Sequence, residues 1–472
     1  MKYKAFTILS LFFLITSFVS SQNGYNIQLK IKGFENKDVI LGYYSNKSMY
    51  ITDTVTFNSN SIALFKNEEP LPGGLYFFYL PNEKHFDILI DKEQNIKFET
   101  DTLDLVGNLK INGSKESSLF LSYQLYLSKM QKQAGELHRN MTSATNDTDK
   151  SKFQSELAEV NSTVEKYMKD EREKNPNTLY AAFIKGMREP DIPEFDIPNS
   201  VSNRDSVLQL KQYIYYANHY LDNIDLSDKR FIRLPYFVEK LDTYFDKVLI
   251  QHPDSITKAA IATIEKTKRS KEMYQFVTQY LFNKINDNKI MGMENAMVAL
   301  ADKYYLSGEA FWASDDFLEK LKKHVEQIRP TLIGKTAHNL FMESITGEYF
   351  KLHEINAPIT ILIFYEPSCG HCKKEIPLIY NDVFLKYRDQ GLKAFVVYSM
   401  NDKKEWEEFI NEHELYDWIN VYDPYHETNF RYHFDIRATP TIFILDKDKN
   451  IIAKRLDVNQ IANFVEHKLK NQ

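Results

Sequence analysis

Cysteine is almost absent from this chain: Cys369 and Cys372 are the only two in 472 residues. A disulfide framework needs more than one pair, and a structural zinc site needs four ligands, mostly Cys and His. Neither can organise this protein. Basic charge is also in deficit, with 59 Lys and Arg against 65 Asp and Glu and a net charge of −6. There is no basic run and no nucleic-acid motif, which excludes nucleic acid as a partner. After the first 21 residues no apolar run is long enough to span a bilayer. What remains is 43% hydrophobic, 26% charged and 14% aromatic, the composition of a globular chain about three domains long.

Residues 1–21 have the layout of an export signal. Lys2 and Lys4 give a cationic start, Ala5 to Val19 is mostly apolar, and Val19-Ser20-Ser21 offers small residues for cleavage before Gln22. The apolar run is shorter than a membrane span requires. No cysteine follows it, so a lipoprotein anchor is not expected. The expectation is an exported protein in an oxidising, periplasmic compartment, with no transmembrane segment after cleavage. There a cysteine pair must either act as an oxidant or be reduced repeatedly by a dedicated donor.

Three patterns follow one another along the rest of the chain. Residues 22–113 read as a β-rich domain, an antiparallel β-sandwich. Alternating runs such as Tyr25-Asn-Ile-Gln-Leu-Lys-Ile and Gly74-Leu-Tyr-Phe-Phe-Tyr-Leu are separated by Gly, Pro, Asn and Asp. Residues 114–330 read as an all-α domain. Leu119, Phe120, Tyr123, Tyr126, Leu127 and Met130 fall at helical spacing, and a polar stretch from Met141 predicts the turn of a helical hairpin. Glu189-Pro-Asp-Ile-Pro-Glu-Phe-Asp-Ile-Pro interrupts the helices as an irregular connector. Residues 331–472 alternate strand and helix. Ile359-Thr-Ile-Leu-Ile-Phe-Tyr is apolar enough for a strand buried on both faces, and an α/β sheet follows.

The chemistry lies at the end of that buried strand, in Glu366-Pro-Ser-Cys-Gly-His-Cys-Lys-Lys-Glu-Ile-Pro377. Cys-x-x-Cys between a strand and a helix makes a dithiol/disulfide couple. Cys369 at the helix start has unpaired backbone N–H groups and the helix dipole to favour its thiolate, so it is the expected attacking sulfur. Cys372, further in, is the expected resolving thiol. A protonated His371 would also stabilise the thiolate. Glu375, three residues past Cys372, shares its helix face and is the candidate for handling protons.

Region 331–472 resembles the thioredoxin superfamily, and within it the TlpA/ResA-like exported thiol–disulfide oxidoreductases, here of the Bacteroidota type with N-terminal β-rich and helical domains. The resemblance rests on Cys369-Gly-His-Cys372, on Pro377 where the family kinks its active-site helix, and on Thr439-Pro440-Thr441 at the family's cis-proline loop. Glu375 matches the carboxylate of ResA-like members, and the helix around 403–412 matches their insertion. The resemblance implies a thioredoxin fold and disulfide exchange with protein substrates, as a reductase. The implied site is Cys369, Cys372, Glu375, His371, Thr439 and Pro440, with no cofactor and no metal. It implies protein thiols and disulfides as partners, and a membrane electron donor for the reductive direction. Two departures stand out. Ile363 occupies the place of thioredoxin's buried acid, and Tyr365 and Ser368 stand where Trp is usual. The alternatives on the same fold are a Cu(I)-binding protein using the cysteines with a histidine such as His426 or His433, and a thiol peroxidase. The latter lacks its Thr three residues before Cys369.

Overall fold

The computed structural model describes residues 24–470. The expected export signal, residues 1–21, lies outside the described residues. The chain divides into two compact units, one ending at Tyr244 and the other beginning at Phe245. Among the described residues no helix is long and apolar enough to cross a membrane.

The first unit opens with eight strands: β1 (Tyr25–Ile31), β2 (Asp38–Ser45), β3 (Ser48–Thr56), β4 (Ile62–Asn67), β5 (Gly74–Tyr79), β6 (His85–Ile90), β7 (Asn95–Thr100) and β8 (Lys110–Asn112). They form two four-stranded sheets, ordered β4-β1-β7-β8 and β3-β2-β5-β6. Along β1 every second side chain (Tyr25, Ile27, Leu29, Ile31) is buried, the period-two pattern of a strand with one face on a core. Phe65, Phe78, Phe86 and Phe98 fill that core. The sandwich is antiparallel except at one pair. β1 lies beside β7 in parallel, because the chain visits the other sheet before returning to β1 from the same end.

Helices complete this unit. Ser114 caps helix Lys115–Ser143 by accepting the Ser117 N–H, and Ser117 Oγ donates to the Leu89 carbonyl at 2.7 Å, docking the helix on the sandwich. The expected hairpin is completed by helix Asp147–Lys174, with Tyr126 stacked on Tyr167 at 3.8 Å. Buried Glu116 accepts the N–H groups of Leu179 and Tyr180 at the start of helix Leu179–Gly186. Residues 189–198 are neither helix nor strand.

The second unit begins with helices Pro253–Thr267, Lys271–Asn286, Met293–Leu300 and Asp315–Ile328. A seven-stranded mixed sheet follows: β9 (Phe341–Ser344), β10 (Tyr349–Lys351), β11 (Ile359–Tyr365), β12 (Leu392–Tyr398), β13 (Ile419–Tyr422), β14 (Thr441–Asp446) and β15 (Ile451–Lys454), in the order β10-β9-β13-β12-β11-β14-β15. All seven residues of β11 are buried, as its apolar run requires. β11 lies parallel to β12 and antiparallel to β14. Its alternate side chains enter two cores: Ile361, Ile363 and Tyr365 on one face, Leu362 and Phe364 on the other.

The helices and the sheet of this unit meet at a charged contact. The Lys454 side chain, only 5% exposed, is ion-paired with Glu294. Glu294 also receives Arg455 Nη1 at 2.7 Å, and Lys454 Nζ lies 3.4 Å from Thr331 Oγ1. Arg437 donates to Gln327 Oε1 at 2.9 Å nearby.

Candidate active site

β11 ends at Tyr365, and helix Gly370–Leu378 begins five residues on, at the end of the parallel strands where α/β sheets place their ligands. Cys369 is the N-cap of that helix, extended at φ −73° and ψ 123°, with a half-buried thiol. Cys372 lies in the first turn and is buried against Ile376, Tyr365 and the rest of the core. Both are free thiols. Pro377 sits inside the helix, where it withholds an N–H from the preceding turn.

The two sulfurs experience opposite fields. The Cys372 backbone N–H is the main influence pulling the Cys369 thiol below its ordinary acidity, helped by the Thr439 hydroxyl, the Cys372 thiol and the His371 N–H against a partial burial cost. Burial dominates at Cys372 and pushes it up to about 12, with the Glu366 N–H and Thr439 hydroxyl in opposition. One thiol is prepared to ionise and the other to stay protonated.

The Thr439–Pro440 bond is cis, and the Cys369 thiol donates to the Thr439 carbonyl at 3.2 Å. The loop before β14 and the redox helix therefore meet at the attacking sulfur. His371 contributes its backbone N–H, while its imidazole is exposed. Glu375 is half-buried and, with Pro440, Thr441 and Lys454, lines a cavity of about 360 Å³ beside the motif. Ile363 is wholly buried opposite Ile442 and Val396, so no acid from β11 reaches Cys372 at that position.

One pair beside the dithiol carries no local sequence signal. Glu366 accepts from Arg431 Nη2 at 3.4 Å, although 65 residues separate them. The histidines named for copper lie elsewhere in the network. The His426 ring contacts Asn401 Nδ2 at 3.0 Å, and His433 stacks on His338 at 3.6 Å. Among the described residues no group of three or more His, Cys, Asp or Glu is gathered as metal ligands would be.

A mixed sheet, a Cys-x-x-Cys at a helix N-terminus and a cis-proline loop against the first sulfur define a thioredoxin-fold thiol–disulfide oxidoreductase. Residues 333–454 match the AhpC/TSA family model. Two domains of unknown function match upstream, DUF4369 over 25–120 and DUF5106 over 161–330. Thiol-disulfide oxidoreductase ResA of Bacillus cereus is 23% identical over 122 residues, which is 26% of this chain and 68% of that protein. ResA of Bacillus anthracis is 24% identical over 120 residues, 25% of this chain and 67% of its own. Among solved structures, a domain of a possible thiol-disulfide isomerase from Cytophaga hutchinsonii is 38% identical, covering 30% of this chain and 97% of that one, at a TM-score of 0.28. A thioredoxin-like protein from Bacteroides caccae is 20% identical, covering 60% and 98%, at a TM-score of 0.45. Through its C-terminal α/β domain, this chain is similar to the ResA thiol-disulfide oxidoreductases and to the AhpC/TSA family.

Proposed function

We propose that the chain exchanges disulfides with protein substrates through Cys369-Gly370-His371-Cys372, in the reducing direction and in an exported, periplasmic setting. The observation that carries this reading is the placement of the two sulfurs, Cys369 half-buried at the helix N-cap beside the Thr439 carbonyl and Cys372 buried in the first turn. The Cys369 thiolate attacks a substrate disulfide, forming a mixed disulfide and releasing one substrate thiolate. Cys372 then loses its proton and attacks Cys369. The internal disulfide forms, the mixed disulfide breaks, and the second substrate thiol leaves. Glu375, in the cavity beside the motif, receives or returns the proton of Cys372. The Thr439 backbone, next to the attacking sulfur, is the edge offered to an extended substrate segment.

The reducing direction is part of this reading, and what supports it is that only one of the two sulfurs is acidified. A couple is oxidising when its reduced thiolates are stabilised. Here the help is confined to Cys369, Cys372 resists ionisation, and the exposed His371 imidazole is not among the groups acting on Cys369. The reduced pair is thus less favoured than in a couple with two stabilised sulfurs. Each turnover leaves the pair oxidised, so a membrane electron donor must restore it.

Two variants test the assignment. Cys372→Ser should accumulate mixed disulfides through Cys369, and Cys369→Ser should accumulate none; equal trapping by both sinks it. Equilibration against glutathione tests the direction, and a pair more oxidising than glutathione overturns the reductase reading.

A further inference from the structure

Arg431, on the short helix Phe430–His433, carries its N–H donors on one planar cationic group. A single nitrogen, Nη2, makes its polar contacts, with Glu366 Oε1 at 3.4 Å and the Ser399 carbonyl at 2.7 Å. The guanidinium is also held over the Phe430 ring, 5.6 Å from its centroid. Nε and Nη1 have no hydrogen-bond partner among the described residues. Arg431 lines a cavity of about 90 Å³ together with Ser399, Met400, Asn401, Asp423 and His426. Room of that size takes the head group of one side chain and no length of backbone. Ser399 is 8% exposed, and its Oγ has no hydrogen-bond partner. A buried hydroxyl without a partner is costly, and a polar guest would complete it. The one carboxylate among the lining residues is already filled. Asp423 Oδ1 accepts the Glu427 N–H at 3.1 Å, and Oδ2 accepts the Thr428 N–H at 2.9 Å and its hydroxyl at 2.6 Å. What stays uncommitted at Arg431 and Ser399 is donor capacity, part of it cationic.

Sheet order places this cavity beside the dithiol. β11 runs between β12 and β14. The Thr439 carbonyl reaches Cys369 from the β14 side. Ser399 and Met400 follow β12, and Asp423 follows β13, so the cavity lies on the other side of the dithiol turn. Arg431 meets that turn at Glu366, whose carbonyl accepts the Cys369 N–H at 3.1 Å. Two strand spacings of about 4.8 Å correspond to roughly three extended residues of about 3.3 Å each.

We propose that Arg431 and Ser399 form a subsite for a carboxylate of the protein substrate, an Asp or Glu side chain about three residues from the attacked cysteine. Arg431 is then a specificity-determining residue. The inference rests on the dithiol-exchange reading above and adds a substrate class to it. Paired N–H donors on a planar guanidinium fit a carboxylate in a way that a lysine ammonium does not. The step served is the first attack. The Cys369 thiolate bonds to the substrate sulfur, the substrate S–S bond breaks, and the departing sulfur leaves with the electron pair. Glu366 already shares the guanidinium, and the Arg431 side chain is 49% exposed, so water screens the attraction and the preference is modest.

The test uses the reduced full chain and extended peptides whose single cysteine is disulfide-bonded to a coloured aromatic thiol. Attack by Cys369 on the peptide sulfur releases the colour. Peptides carry Glu, or Gln in its place, at each position within about four residues of the cysteine on either side. At one or two positions about three residues away, the Glu peptide should react about fivefold faster than its Gln twin, and added salt should shrink that ratio. Arg431→Met should bring the ratio to about one, and Ser399→Ala should roughly halve it. A ratio that survives Arg431→Met overturns the proposal, because the acid is then read elsewhere. If Arg431→Met does not fold, the unaltered chain decides: Glu peptides no faster than their Gln twins at every position overturn it. Slowing by free acetate or inorganic phosphate without any Glu preference also overturns it, since that marks a site for free anions. Failure of the unaltered chain to release colour from any peptide would instead overturn the exchange reading.

Discussion

Cys369 and Cys372 share one helical turn, yet burial and backbone dipoles drive their acidities apart. A lowered thiol pKa means that thiolate is present at lower pH. Cys369 should therefore be alkylated below the pH at which an ordinary cysteine reacts, while Cys372 should resist until the pH approaches about 12. Mass spectrometry of the two sites across a pH series checks this, and coincident profiles would remove the asymmetry. Glu375→Gln should change the pH dependence of Cys372 alkylation and leave that of Cys369 in place; an unaltered Cys372 profile returns Glu375 to a solvated surface role. The motif residues were legible because they are contiguous and their spacing carries the chemistry. Arg431 was not, because its partner Glu366 lies 65 residues away and nothing local marks either as half of a pair.

Among the elements, β11 is where sequence and structure agree most closely. Seven apolar residues in a row leave a strand no place except the centre of a sheet covered on both faces. Ile363→Ala should cost about 2–5 kcal/mol in a denaturant titration, because the side chain is wholly buried and its cavity cannot easily collapse between two strands. A loss below about 1 kcal/mol would mean that this core is loosely packed. β12, β14 and the helix at 403–412 were equally legible from their apolar runs. β9, β10 and β13 were not, since three or four residues hold too little periodicity to separate a strand from a loop. The parallel run of β1 beside β7 was also hidden, because alternation records which face is buried and not the direction of the neighbour.

At the scale of the molecule, the helices of the second unit contribute to the charge balance inside the sheet. Glu294→Ala leaves buried Lys454 without its carboxylate and should destabilise the chain by about 2–3 kcal/mol. Lys454→Met in the same background should recover most of that loss by thermal melting, and no recovery would show that Glu294 matters for another reason. A fragment of residues 331–472 should keep exchange activity with a lowered melting temperature, since it loses Glu294 and keeps the dithiol. A folded but inert fragment would place upstream residues in the site. The parallel pair in the first unit also dictates an order of assembly. β1 is an interior strand between β4 and β7, and the second neighbour exists only when residues 95–100 are present. β4 can pair with β1 before β5 and β6 exist, whereas the other edge of β1 stays bare until β7 is present. A chain emerging from its N-terminus therefore carries one open strand edge through most of the synthesis of that domain, and this is the segment for which a holding chaperone would have most use.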